Sequence, residues 1–213
     1  MKKYLILIFC FFCGLLISAQ RLETQKILEV ADSILLANTN KKLFDCFKIS
    51  VGSYYKYQDK NRLTTGKFLN KKKLNSNVKE IGVLYFFIYP DIEDIKGGVW
   101  VKLDYELKLI EPVELDFIPK FVWDNRPSDF ITKQKALKQG ISYFRNEGIA
   151  IREPYLEYDK KLKLYTYTIT NILTREKDMI NGRDVGNAES VKINAYTGEL
   201  LDIQEYTYGL IIR

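Results

Sequence analysis

Histidine is absent from the 213-residue chain, and cysteine occurs only three times. Without histidine, the chain cannot form the Ser-His-Asp or Cys-His arrangements of nucleophilic catalysis, and it lacks the commonest ligand of transition metals. Only carboxylate, lysine and tyrosine chemistry is left for catalysis, and no catalytic motif built from these residues is recognisable. We therefore predict that the protein is not an enzyme and that it has no metal site and no cofactor.

Long apolar runs are also scarce, and the one that stands out lies at the start of the chain. Lys2 and Lys3 precede the almost wholly apolar residues 4–16, and residues 17–19 end in Ala19. This order of basic, apolar and small residues is typical of a secretory signal peptide. We predict a signal peptide over residues 1–19 and an exported protein, periplasmic or extracellular. No later segment is long and apolar enough to predict a membrane span.

Two of the three cysteines, Cys10 and Cys13, fall in this predicted signal peptide. Phenylalanine precedes each of them where a lipoprotein signal requires a small residue, so we do not expect a lipid anchor. Only Cys46 remains in the mature chain, which excludes an intramolecular disulfide. Stability must then come from packing, and a composition of 46% apolar and 14% aromatic residues is sufficient for a globular core.

Excess charge is small. Removing Lys2 and Lys3 lowers the formal net charge from +6 to +4, which is too little to indicate nucleic-acid binding. Residues 56–80 are rich in lysine and are predicted to form a solvated loop, with an anionic-surface site as the alternative. Residues 90–116 are rich in acid, and their carboxylates alternate with apolar residues, as on the solvent side of a sheet. The polar residues 174–188 fit either a functional flap or a hairpin tip.

A weak internal repeat organises the rest of the chain. Residues 101–115 align with residues 191–206 with one gap, so that Val-Lys-Leu-Asp matches Val-Lys-Ile-Asn and Leu-Ile matches Leu-Leu. Upstream of each copy lies one amphipathic helix pattern, over residues 22–38 in the first and after Thr132 in the second. Each helix is followed by strand patterns, at 47–58, 78–89, 98–105 and 107–115, and at 149–159, 162–173 and twice within 189–208.

The repeat predicts an α+β fold of two tandem units. Each unit would be an amphipathic helix packed on an antiparallel four-stranded sheet. The first would cover residues 20–117 and the second residues 129–213, with residues 118–128 as a proline-containing linker. Whether the two units share one core stays open at this point.

The segment Tyr-Thr-Gly-Glu at residues 196–199 lies between two alternating strand patterns. Val191 and Ile193 alternate with Lys192 and Asn194, as in a strand with one buried face. We predict that Thr197 and Gly198 form a structural turn, because a glycine here can take the positive φ that closes a short hairpin with a bulge.

The alanine-containing helix, the strand "LYTYTIT" and the hairpin "VKINAYTGELL" resemble PepSY domains. The resemblance covers residues 130–208, and it extends to residues 24–116 through the internal repeat. Asn194 stands where the family commonly has aspartate, and the first copy lacks the turn glycine. The resemblance implies an exported module without catalytic residues that binds or restrains a peptidase or another protein.

Tyrosine is abundant on the predicted strands, and it supplies large contact area with a polar tip. We take as candidate partner-binding residues Tyr54, Tyr55, Tyr57, Tyr165 and Tyr167, and with them Tyr206 and Tyr208. The alternative is packing across neighbouring strands.

The predicted function is binding of a protein or peptide, by steric occlusion or by strand addition at a sheet edge. A second interpretation is a cystatin-like or NTF2-like protein with a single core and a ligand pocket, such as an immunity protein.

Overall fold

The computed structural model describes residues 22–71, 73–74, 77–177 and 182–209, so the predicted signal peptide lies outside the described residues. The chain divides into two compact units. The first contains the residues up to Phe87 and Gly98–Glu114, and the second contains Ile88–Gly97 and the residues from Leu115 onward. Helices are few and both sheets are antiparallel, which confirms the α+β class.

The first unit begins with two helices, α1 (Thr24–Asn38) and α2 (Lys41–Phe44). Residues with no solvent exposure recur on α1 at four-residue spacing, at Ile27, Ala31 and Leu35, because one stripe of the helix faces the core. The Tyr85 hydroxyl donates to Asp32 Oδ1 of α1 at 2.6 Å. Burial and this carboxylate raise the pKa of Tyr85 above its ordinary value, so the phenol stays a neutral donor.

Five strands form the sheet of the first unit. They are β1 (Phe47–Ile49), β2 (Tyr54–Gln58), β3 (Thr64–Phe68), β4 (Val78–Ile88) and β5 (Lys96–Leu103). β1 and β2 pair with successive parts of the long strand β4, β3 pairs with β2, and β5 pairs with β4. Alternate side chains of β4 are buried and form the core of the unit, at Ile81, Val83, Tyr85 and Phe87.

Two parts of the first unit differ from the prediction. Residues 107–115 form no strand; Leu109 makes a single bridge to Leu103. The ladder cannot continue beyond this point because Pro112 has no N–H to donate. The basic segment 56–80 is not only a loop, because β3 within it pairs with β2 across a turn. Asp59 Oδ1 closes this turn by accepting from the N–H groups of Asn61 and Leu63.

The second unit also has two helices, α3 (Lys120–Trp123) and α4 (Lys133–Ile141). The side chain of Thr132 caps α4 by accepting from the N–H of Lys135 at 3.2 Å. Ala136 and Gly140 form the buried stripe of α4. The helix ends at Ile141, because the N–H groups of residues 142–144 bond to carbonyls three residues back, which tightens the chain into a turn.

Six strands form the second sheet. They are β6 (Ala150–Ile151), β7 (Tyr155–Asp159), β8 (Leu164–Ile172), β9 (Glu176–Lys177), β10 (Asp184–Asn194) and β11 (Leu200–Tyr208). The order is β11-β10-β8-β6, with β7 also on β8 and β9 also on β10. β11 is therefore an edge strand.

Residues 118–128, expected to be a linker, contain α3. Phe121 and Val122 of α3 are buried. The Phe121 ring meets the Phe130 ring edge-on at 5.0 Å, and Phe130 in turn contacts Tyr165 and Tyr196. These aromatic contacts pack the segment into the core of the second unit.

Close contact between α4 and β8 requires a glycine. A Cβ at Gly140 would lie 2.8 Å from Ile169 Cγ1 and Cδ1. We expect Gly140→Ala to lower the free energy of unfolding by about 1–2 kcal/mol, because overpacking outweighs the gain in helix propensity. Urea denaturation measures this. Gly66→Ala is the matched control, since a Cβ there meets nothing within 4 Å. An equal change in the free energy of unfolding for the two variants would contradict the close contact between α4 and β8.

Candidate functional site

Three of the five candidate tyrosines lie in the cores of the two units. Tyr55 and Tyr165 are each 2% exposed, and Tyr167 is 4% exposed. The hydroxyl of Tyr165 donates to the carbonyl of Phe117 at 2.7 Å, and that of Tyr167 to the carbonyl of Ile131 at 3.1 Å. In this conformation these three side chains pack inside their own units, and their role as partner-binding residues stays a prediction.

Tyr54 and Tyr57 are partly exposed, but both are engaged within the first unit. Tyr54 lies 5.2 Å from the ring of Trp100, centroid to centroid, and its hydroxyl donates to Glu80 Oε1 at 2.5 Å. Burial and this carboxylate raise the pKa of Tyr54 to about 12. The ammonium of Lys67 lies 4.9 Å from the ring centroid of Tyr57.

The outer edge of β11 is a backbone surface that the second sheet leaves open, at the opposite side of the sheet from β6 and β7. β11 pairs with β10 over eight residue pairs, from Gly186↔Tyr208 to Ile193↔Leu200. Among the described residues, no strand pairs with its other side. Seven of its nine residues are exposed. An unpaired strand edge is a template for a further strand.

Hydrogen bonds of β10 fix which backbone groups of β11 point outward. The carbonyl of Asn187 accepts from Leu173, beyond the end of β8, and the N–H of Asn194 donates to Glu199, toward β11. Because successive residues of an antiparallel strand bond to opposite neighbours, the even-numbered residues of β10 bond to β11.

The residues opposite them are Tyr206, Gln204 and Asp202, so their backbone groups point toward β10. Ile203, Glu205 and Thr207 alternate with these residues along β11. Their N–H and C=O groups therefore point to the free edge.

The side chains of β11 alternate between the two sheet faces. Ile203 and Glu205 lie opposite Val191 and Glu189, on the face that α4 covers. Asp202, Gln204 and Tyr206 lie on the other face, opposite Lys192, Ser190 and Ala188. β11 carries two carboxylates and no basic residue, so its edge has negative character.

Lys192 lies opposite Asp202, but its ammonium is engaged elsewhere. It bonds to Asp159 Oδ2 at 3.0 Å and lies 3.7 Å from Glu157 Oε1. The hydrogen bond to Asp159 raises the pKa of Lys192. The pKa of Asp159 is lowered first by the N–H of Leu162 and then by Lys192. The ion pair of Lys192 and Asp159 spans β8. The carboxylate of Asp202 instead accepts a hydrogen bond from Gln204 Nε2, at 2.6 Å.

The two segments proposed as loops contain paired strands. The basic segment 56–80 includes β3, and the polar segment 174–188 includes β9 and the start of β10. Residues 178–181 lie outside the described part. Within the described part, no group of three or more acidic or sulfur side chains is placed to hold a metal ion.

The outward backbone of β11 was not among the predicted site residues. One signal was present: residues 200–208 read as a strand without proline, glycine or lysine, the residues that commonly protect an edge. The sequence did not indicate that this strand would be at the edge.

Comparison with protein-family models, with curated proteins and with solved structures finds no match. None of the helices within the described ranges is long and apolar enough to cross a membrane.

Proposed function

We propose that the protein is an exported, non-enzymatic binding module that captures an extended segment of a partner polypeptide by strand addition at β11. The observation that carries this proposal is the nine-residue edge of β11, paired on one side only. In strand addition, main-chain hydrogen bonds provide affinity and alternate side chains provide specificity.

The composition of β11 supports a binding role. Natural edge strands are commonly protected by proline, lysine, bulges or a covering element. Residues 200–208 contain neither proline nor lysine, and their charged side chains are the carboxylates of Asp202 and Glu205. Leu200, Leu201 and Tyr206 are each about two-fifths exposed. The bulge in the β10–β11 pairing lies at its far end, between Lys192 and Ile193, and leaves the regular stretch 202–208 open. A long, partly apolar edge is a hazard unless a partner uses it.

We also propose that the two units are copies of one plan, related to PepSY domains, in which a helix packs on four rows of strands. In the second unit, β6 and β7 would together form the first row, because both pair with β8. β8 and β9 would form the second row, β10 the third and β11 the fourth. In the first unit β1 and β2 would form one row and β4 and β5 the next two. The single bridge at Leu109 stands where β11 stands in the second unit.

The alternative of a tyrosine-lined pocket is less well supported, because the central tyrosines are packed in the cores. A peptidase is one partner class that strand addition and steric occlusion would both suit.

Proline at position 205 tests the proposal. The N–H of Glu205 points away from β10, so Glu205→Pro removes an outward donor while the β10–β11 ladder keeps its bonds. The probes are three fluorescent ten-residue peptides of threonine and valine, which favour extended backbone. Each has two test positions, filled by lysine, glutamate or threonine. We expect at least one peptide to bind, and Glu205→Pro to weaken its binding about tenfold or more, measured by fluorescence anisotropy.

Glu205→Ala is the matched control, because it removes the same side chain and keeps the N–H. It should retain more of the binding than the proline variant does. Hydrogen exchange gives a second measurement: the bound peptide should protect the N–H groups of Ile203, Glu205 and Thr207. Binding that is equal in the proline and alanine variants, or absent for all three peptides, would overturn strand addition at β11.

A further inference from the structure

We propose that the strand captured by β11 is basic, with one cation opposite Glu205 and a second opposite Asp202. This inference rests on the proposed function and specifies the partner of the same edge. The first observation behind it is an unfavourable pair of carboxylates within the sheet. The second is an acid on the opposite face, Asp202, whose facing lysine, Lys192, is hydrogen-bonded to Asp159.

Glu189 and Glu205 lie directly opposite each other on β10 and β11. Like charges in this position destabilise a sheet. The ion pairs formed within the described part of the chain involve neither residue. The edge therefore has a local excess of negative charge that the unit does not neutralise with a lysine or an arginine.

Glu189 cannot move away from this arrangement. Its side chain has no solvent exposure, and its carboxylate accepts from the N–H of Arg145 at 3.0 Å and of Asn146 at 3.3 Å. These bonds hold the chain that follows α4. A buried carboxylate bound by backbone donors keeps its place, because releasing it would leave those donors unpaired.

Glu205 is the exposed member of the pair and faces the free edge. Its one side-chain bond goes to Asn146 Nδ2, at 3.0 Å. A lysine or arginine on an added strand, directly opposite Glu205, would lie next to Glu205 and two strands away from Glu189, and it would offset the excess negative charge of the pair. This position is the strongest basis for a cationic partner.

The opposite face of β11 also favours a basic residue on the added strand. Asp202 shares that face with Gln204 and Tyr206, while the nearest ammonium, that of Lys192, is bound to Asp159. A second cation opposite Asp202 would supply the missing charge. Opposite Ile203 and Tyr206, apolar residues fit the exposed hydrocarbon and aromatic surface.

The order of these positions gives a sequence pattern. An antiparallel segment that runs from Tyr206 to Asp202 would place, in turn, an apolar, a basic, a polar, an apolar and a basic residue. The segment is thus a short stretch of a polypeptide with two basic and two apolar residues, each pair spaced by three positions.

The same three peptides test this pattern. Between threonine flanks, each has the order valine, test residue, threonine, valine, test residue, and the test residue is lysine, glutamate or threonine. We expect the lysine peptide to bind at least about fivefold more tightly than the glutamate peptide, because each opposite-charge pair contributes modestly to a sheet. Glu205→Lys should abolish this preference, because each peptide then has one attractive pair and one repulsive pair, at positions 205 and 202. Glu176→Lys is the control for net charge: Glu176 lies on β9, which pairs with β10 at Val185, and the variant should keep the preference for lysine.

The outcomes separate the two proposals. If all three peptides bind alike and Glu205→Pro still abolishes binding, strand addition stands and the basic preference is wrong. A preference for lysine that survives Glu205→Lys overturns the assignment of Glu205. A lysine peptide that binds the Glu205→Pro variant as it binds the natural protein overturns strand addition itself.

Discussion

Replacing Phe121 by alanine should lower the free energy of unfolding by about 3–5 kcal/mol. The side chain is 1% exposed, so its removal would leave a cavity. Its ring packs edge-on against Phe130, and Phe130 contacts Tyr165 of β8 and Tyr196 of the turn before β11. Loss of Phe121 would therefore loosen an aromatic cluster as well as expose a hydrophobic site. Urea denaturation followed by circular dichroism measures the effect.

Phe68→Ala is the matched control for Phe121→Ala. Phe68 lies on β3 and is 64% exposed, so the same truncation there should cost less than about 1 kcal/mol. A loss at Phe121 as small as that at Phe68 would show that residues 118–128 are a loosely attached linker. The expected difference would show that they are part of the folded second unit.

The long helices and central strands could be predicted because their residues carry regular periods. Ile27, Ala31 and Leu35 repeat every four residues on α1, and β4 alternates buried and exposed side chains. The edges of both sheets were harder to predict. Residues 107–115 have the alternation of a strand but contain Pro112, and a short polar strand such as β3 differs little in composition from a loop.

The candidate site was less predictable than the fold, because period two shows that side chains alternate but not which face is covered. Tyr54 and Tyr55 are neighbours in one strand, yet Tyr55 is buried and Tyr54 lies on the opposite face. The Glu189–Glu205 pair depends on the register between two strands, which follows from the length and the bulge of the connecting hairpin. A single sequence does not fix that register.

The turn between β10 and β11 controls this register, and Gly198 is its critical residue. Gly198 has a φ of 80°, and its N–H donates to the carbonyl of Asn194 at 2.8 Å. We expect Gly198→Val to lower the free energy of unfolding by about 2–4 kcal/mol, because a β-branched residue is strained at positive φ and Gly198 itself is buried. A Cβ there would also lie 2.6 Å from Gln139 Cδ. Thermal or urea denaturation measures the loss; unchanged stability would contradict the turn geometry.

The first unit contains a turn that is one residue shorter and has a leucine at a positive φ. The N–H of Leu107 donates to the carbonyl of Asp104, three residues back, whereas that of Gly198 donates to Asn194, four residues back; Leu107 has a φ of 63°. Leu107→Gly should therefore leave stability unchanged or raise it by up to about 1 kcal/mol, since relief of strain offsets the entropy cost of glycine.

Leu109→Gly is the matched control for Leu107→Gly. Leu109 lies outside the left-handed region and bridges to Leu103, so the same change should cost about 1 kcal/mol. If both leucine variants lose stability equally, Leu107 is not strained at its positive φ. If only Leu109→Gly does, Leu107 is held in the left-handed conformation that Gly198 adopts without strain in the second unit.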